Sequence, residues 1–394
     1  KKRLLLIGAG AAGAVVAKKI DQNQEMFGYL HIASRTLDKC VKIQKELAIE
    51  SSISQLDADD TDAVISCIKD VKPFLVMNLA LPYQDLSIME ACLACGVHYL
   101  DTANYEPKDE AKYAYHWQWA YQERFKKAGL MALLGCGFDP GVTNAFCAYA
   151  KHYLFDGIET IDIIDCNDGN HHKAFATNFN PEINIREITQ EGKYFKDGAW
   201  QSTKPLEKSK MIDFPEVGPK KAYLINHEEM ESLVKHMPEI KQIRFWMTFS
   251  EDYITHLKVC ENLGLTRIDA IDYEGQKIIP LQFLKALLPE PASLAEHYEG
   301  KTSIGCMITG KKDGADKQIT LYNVCQHQEA FRDVGAQAVS YTTGVPAVTG
   351  AIMMAKGLWN KAGVLNIEEL DSKPFLEELA KQGLPWHIKE EVLV

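Results

Sequence analysis

The chain, 394 residues long, predicts an α/β protein in two parts: a doubly wound parallel sheet, then a second α+β domain built on a mostly antiparallel sheet. Three observations carry this reading. An apolar strand-like run, Arg3 to Ile7, enters a complete G-x-G-x-x-G at Gly8, Gly10 and Gly13 and leaves as a helix-like run to Ala17. Strand and helix patterns then alternate as far as Asn144. Beyond it, alternating strands take over, with a hairpin loop from Lys311 to Asp316 between two of them.

The glycine stretch has the layout of a dinucleotide clamp of the Rossmann type. Gly8 allows a tight strand-to-helix turn, Gly10 lets a pyrophosphate approach bare backbone, and Gly13 lets the helix lie close on the sheet. The phosphates meet free N–H groups at the helix start, around Ala11 and Ala12. The second apolar run, Tyr29 to Ala33, ends in Ser34-Arg35-Thr36, where such a unit keeps its ribose reader. An acid there would accept from the 2′-hydroxyl of NAD and repel the 2′-phosphate of NADP. The acid is missing; Ser34 can hydrogen-bond a phosphate, and Arg35 can pair with it and stack on adenine. NADP(H) is therefore the expected cofactor.

Further elements follow in order. A helix carries Leu37, Cys40, Val41 and Ala48 on one face, Ile53 to Leu56 is a short strand, and Asp57 to Thr61 starts a helix ending near Val71. The buried strand Phe74–Leu79 runs into Ala80 and Leu81, small and apolar residues where a nicotinamide ribose would pass. A helix to about Cys95 and a strand Val97–Leu100 lead to the polar edge Asp101 to Glu106, with Ala103 facing the cofactor. Tyr113, Trp117 and Tyr121 read as a packing stripe on a helix from Glu110 to Lys127. The strand Leu130–Leu134 then enters a tight loop, Gly135 to Asn144, in which Gly137 and Phe138 reach the cofactor. In the second part Ile158–Cys166 alternates as a strand, and Asn167 to His172 reads as a polar turn. An apolar helix, Ala347–Trp359, is expected to pack back on the first domain. The expected division is 1–140 plus about 335–394 for the cofactor domain and 141–334 for substrate and dimerisation.

Composition narrows the function classes. The net charge of −11, with no Lys/Arg-rich stripe, argues against nucleic acid, and no run has the length of a membrane span. Of ten cysteines only Cys92 and Cys95 form a C-x-x-C, inside a helical pattern and without a second pair to complete a zinc site. No metal is expected, and reduced thiols fit a cytoplasmic protein. Lys1-Lys2-Arg3 before an apolar run also has the look of a secretory leader, but the fingerprint spacing of the glycines opposes that.

Together GAGAAG with ASRT, VMNLALPYQDLSIMEACLACGVHYLDTANYE, GCGFDPGVTNAF, FATNFNPEINIREITQEGKYFKDG and YTTGVPAVTGAIMMAKGLW resemble the saccharopine reductase family of dehydrogenases, and within it a bacterial polyamine branch. The resemblance spans nearly the whole chain. It implies a Rossmann domain completed by C-terminal residues, a middle domain for substrate and homodimer formation, and NADPH-dependent reductive condensation of L-aspartate β-semialdehyde with a diamine, 1,3-diaminopropane or putrescine, through a Schiff base. The nearest alternative is a saccharopine reductase joining aminoadipate semialdehyde to glutamate; a non-catalytic NADP binder is another.

Schiff-base formation needs a general acid/base and a dry site for the reduction. Candidates for proton transfer are Asp101, Cys136, Asp139 and His171, with Tyr105 and Asn170 near substrate. Arg186 is the candidate for the substrate α-carboxylate, since guanidinium grips carboxylate in a bidentate way. Where the resemblance implies an arginine for the carboxylate of a glutamate co-substrate, Asn180-Pro181-Glu182 offers Glu182, the acid that the distal ammonium of a diamine would need.

Overall fold

The computed structural model describes residues 1–391. Its first sheet has seven strands, all parallel, in the order Gly363–Asn366, Met131–Leu134, His98–Asp101, Leu75–Asn78, Lys2–Ile7, Phe27–Ser34, Ser51–Gln55. The order reverses beside Lys2–Ile7, which puts a crevice at the carboxyl ends of the central strands. Leu75–Asn78, His98–Asp101, Met131–Leu134 and Gly363–Asn366 bury nearly every residue because helices cover both faces; Leu4, Leu6, Leu75 and Met77 face one apolar cluster, and Leu5, Ile7 and Val76 face the other.

The second sheet has nine strands. Seven lie in the order Ser209–Phe214, Gly218–Ile225, Gln242–Thr248, Gly157–Asn170, Glu299–Lys312, Ala315–Gln326, His387–Glu391. Gly192–Lys196 also pairs with Gln242–Thr248 and carries Ala199–Thr203 at its side. The pairings are antiparallel except for Gln242–Thr248 on Gly157–Asn170, which is parallel. The hairpin expected over Lys311 to Asp316 is there but tighter: Lys311 and Lys312 pair with Asp316 and Ala315, and only Asp313 and Gly314, both with positive φ, make the turn between Glu299–Lys312 and Ala315–Gln326.

Four expectations need correction. The strand from Gly157 runs on through Asn170, since Asn167, Asp168 and Gly169 pair with Thr302, Lys301 and Gly300, so the supposed turn starts only at His171. Residues 102–115 form an irregular loop, and helices begin only at His116–Trp119 and Gln122–Ala128. Tyr113 thus leaves the packing stripe, and its hydroxyl donates to the Asn226 carbonyl across the cleft. The last long helix spans Ala338–Ala355, beginning well before Ala347 and holding Pro346 inside it. Finally, the terminal strand His387–Glu391 joins the second sheet, although the stretch from 335 onward was expected wholly with the first.

Helix Ala338–Ala355 positions the clamp. At Gly344 a Cβ would stand 2.7 Å from the Val15 side chain and 3.1 Å from the Ala12 carbonyl oxygen. Only a glycine lets this helix lie so close on Ala11–Asp21, which begins at the fingerprint.

Candidate active site

A cleft of about 570 Å³ lies over the carboxyl edge of the parallel sheet, roofed by the second sheet and its helices. One half is the clamp. Gly8, Gly10, Ala11, Ala12 and Gly13 form its floor, Ser34, Arg35 and Thr36 its far rim, and Leu79, Ala80, Leu81, Ala103, Gly137 and Phe138 the wall leading inward. A Cβ on Gly8 would collide with the Leu79 carbonyl, whereas beside Gly10 nothing stands within 4 Å. Helix Ala11–Asp21 has no side-chain cap at Gly10, so its first N–H groups face the cleft unclaimed. This cradle fits a dinucleotide pyrophosphate.

The other half is acidic. Glu106 and Asp139 come from loops of the first sheet, Asp165 from the strand Gly157–Asn170, Glu187 from the end of helix Pro181–Ile188, and His227 and Glu228 from the turn before helix Glu229–His236. His227 bridges two carboxylates: its Nε2 is 3.1 Å from Glu187 Oε1, and its Nδ1 bonds Glu229 Oε2. Burial opposes its charge, but Glu229 and Glu187 outweigh that and raise its pKa well above the ordinary histidine value. Asp139 and Asp165 hydrogen-bond each other, one from each side of the cleft. Burial and the Asp165 charge push Asp139 up, and burial lifts Asp165 to about 6. Burial likewise lifts Glu228 to about 8, although His227 and the Asn104 N–H, 2.9 Å from its Oε1, pull the other way. Carboxyls crowded beside one histidine, several of them raised toward neutrality by burial, suit a cationic substrate and can exchange protons near neutral pH.

The sequence-derived candidates divide sharply. All fourteen cofactor positions line the cleft, and so does Asp139. The others stand outside its wall. Asp101 is a structural hub, accepting from Gly135 N at 2.7 Å, Gln118 Nε2 at 2.7 Å and Tyr99 hydroxyl at 2.9 Å. Burial lifts it to about 7 against those donors. Cys136 donates to the Pro346 carbonyl beneath helix Ala338–Ala355, where burial pushes its thiol up. His171 packs on the edge of Tyr298, Tyr105 on Trp117, and exposed Asn170 accepts from the His172 N–H.

Arg186 is sealed. Its Nε reaches Glu106 Oε1 at 3.0 Å, and its terminal nitrogens serve the carbonyls of Pro107, Lys108 and Glu110. Four of its five N–H groups are claimed, and the side chain, 2% exposed, does not reach the cleft to grip a substrate carboxylate. Glu182 accepts from Tyr83 hydroxyl and from Lys285 Nζ at 3.1 Å, so it is an already paired acid behind the wall. Missed by sequence reasoning were Asp165, Glu187, His227 and Glu228. The signal available was His227-Glu228-Glu229, three consecutive titratable residues that follow the apolar run Ala222–Ile225 and Asn226.

A doubly wound clamp facing an acidic, second-domain pocket defines a dinucleotide-dependent dehydrogenase. The family models match on both sides of the cleft: "Saccharopine dehydrogenase NADP binding domain" over residues 4–133 and "Saccharopine dehydrogenase C-terminal domain" over 137–384. The chain belongs to the saccharopine dehydrogenase family, and its first domain is an NADP-binding domain. Among its relatives are carboxyaminopropylagmatine dehydrogenase of Synechocystis sp., 56% identical over 98% of this chain and 97% of that protein, and carboxynorspermidine synthase of Vibrio alginolyticus, 43% identical over the same shares. The fold matches apo saccharopine dehydrogenase (L-Glu forming) of Saccharomyces cerevisiae at TM-score 0.75 and 14% identity, covering both chains fully. No described helix is long and apolar enough to cross a membrane.

Proposed function

We propose that the protein condenses L-aspartate β-semialdehyde with a cationic primary amine and reduces the resulting Schiff base with NADPH, in polyamine synthesis. The observation that carries this is the acidic half of the cleft, with Glu106, Glu187, Glu228, Asp139 and Asp165 around one histidine. A glutamate co-substrate would bring a second carboxylate to a wall where five carboxyls outnumber His227 and Lys285, which disfavours saccharopine chemistry. The names of the relatives supply the products, and their two amines differ. Putrescine or 1,3-diaminopropane is the first reading; agmatine is the second, favoured by the 56% identity to the carboxyaminopropylagmatine enzyme.

NADPH supplies the hydride. The chain's residues do the rest. The acidic wall holds the far cation of the amine, and the hydrogen-bonded Asp139 and Asp165 hold a proton between them for loss of water from the carbinolamine. The closed apolar wall at Leu79, Leu81 and Phe138 keeps water from the imine. We assign residues 1–140 and 335–386 to the cofactor domain and 141–334 with 387–391 to the substrate domain. A homodimer is proposed through the face of the second sheet turned away from the cleft, the one that carries Ile164 and Trp246, where Met307 and Tyr322 are partly exposed. A cytoplasmic location is supported by ten unpaired cysteines, including Cys147 and Cys306 whose sulfurs lie 3.9 Å apart without a bond.

The test is NADPH consumption with aspartate β-semialdehyde and, in parallel, 1,3-diaminopropane, putrescine, agmatine, glutamate or no amine. Turnover with a cationic amine alone is expected. Turnover only with glutamate, or in no arm, defeats the reading.

A further inference from the structure

Behind Tyr113, His227 and Glu228, which it shares with the wall of the main cleft, lies a side chamber of about 110 Å³. That is the liquid volume of about four waters, the size of an α-amino acid head group. Its polar lining is of two kinds. Lys112, Lys193 and Gln190 offer donors, and Glu228 and Glu231 offer acceptors. The Gln190 Nε2 is buried and has no hydrogen-bond partner among the described residues. A buried amide donor left unpaired costs free energy that an incoming acceptor recovers. Lys193 stands 4.7 Å from the centroid of the Trp200 ring, which keeps its ammonium beside the chamber.

The aldehyde substrate of the proposed reaction carries an α-carboxylate and an α-ammonium. The main cleft leaves the carboxylate without an obvious partner: Arg186 is sealed by Glu106 and three carbonyls, and Lys285 is tied to Glu182. We propose that the side chamber is the amino-acid head-group subsite, with Gln190 Nε2 and Lys193 taking the carboxylate and Glu228 and Glu231 taking the ammonium. The aldehyde carbon, on the far side of one methylene, then emerges past Glu228 into the cleft where the amine waits. Glu228 faces both spaces, so it separates the two substrates while touching each.

This assignment rests on the proposed reaction but is tested apart from it. L-Homoserine has the same head group with an alcohol in place of the aldehyde, and its binding to the NADP-loaded protein is read by calorimetry. Wild type is expected to bind it, and Gln190→Met and Lys193→Met each to weaken that binding about tenfold or more. The same variants should raise KM for aspartate β-semialdehyde by a similar factor. NADPH affinity and KM for the amine should stay within about twofold, which also shows that the variants fold. The proposal is overturned if wild type does not bind L-homoserine, if both variants bind it normally, or if the amine KM moves instead. Wild type that binds L-homoserine in a Gln190-dependent way but turns over with no amine would leave the chamber assigned and remove the reaction.

Discussion

Arg186 and Glu106 meet at 3.0 Å with their side chains only 2% and 3% exposed, and so bolt the loop before His116 to the helix Pro181–Ile188. Burial lifts the Glu106 carboxyl to about 7 even with the guanidinium against it. Removing one partner leaves the other buried and uncompensated. Arg186→Met should therefore destabilise the protein by about 3–5 kcal/mol, measured by denaturant unfolding. Adding Glu106→Gln to that variant should recover part of the loss, because the stranded charge is gone.

Arg35 decides between the two nicotinamide cofactors. Arg35→Ala should weaken NADPH by about 1.5–3 kcal/mol, a charge-assisted hydrogen bond's worth, and leave NADH unchanged. Titration of intrinsic fluorescence with each cofactor checks this; equal losses for both would place the 2′-phosphate elsewhere.

Glu228 should couple amine binding to pH. Its folded pKa, about 8, lies above the ordinary 4.5. Its contribution to stability is therefore complete below the ordinary value and is lost as pH rises through about 8. Melting temperature of the ligand-free protein should fall between about pH 6 and pH 9, and fall less in Glu228→Gln. A cationic amine beside Glu228 favours its ionised form, so binding at about pH 7 should release protons. Calorimetry in two buffers of different ionisation enthalpy measures the release, which Glu228→Gln should reduce.

Gly344→Leu should act at a distance from the cleft. The new side chain would have to push Val15 and the Ala12 carbonyl away, shifting the helix that starts at the fingerprint. Overpacking of this kind costs about 1–3 kcal/mol. Loss of NADPH affinity together with stability is expected, while Leu358→Ala, at an exposed position, should change neither.

The cofactor half of the cleft was readable because its chemistry is local. A glycine needed for a turn and the residues after the next strand sit at fixed intervals, so Gly8, Gly10 and Arg35 betray themselves within one βαβ unit. The substrate half is assembled from distant segments: Asp139, Asp165, Glu187 and Glu228 converge only when the second sheet closes over the first. Sequence can show that Arg186 is an arginine. That four of its five donors are already claimed depends on where Glu106 and the carbonyls of Pro107, Lys108 and Glu110 fall. The same holds for Tyr113, which has helical spacing to Trp117 but is drawn off by the Asn226 carbonyl. Pro346 misled the helix boundary because a proline normally marks an end, yet here full burial among small residues holds the helix through it.

The edge strand Gly363–Asn366 gives the parallel sheet a late birthday. During synthesis its first six strands emerge with one edge, Met131–Leu134, uncovered, and without helix Ala338–Ala355 over the clamp. Both arrive only after the entire strand set from Gly157 to Gln326 has been made. The nascent chain must keep an unfinished nucleotide fold waiting while a second domain forms, and no cut near residue 135 can yield a finished one.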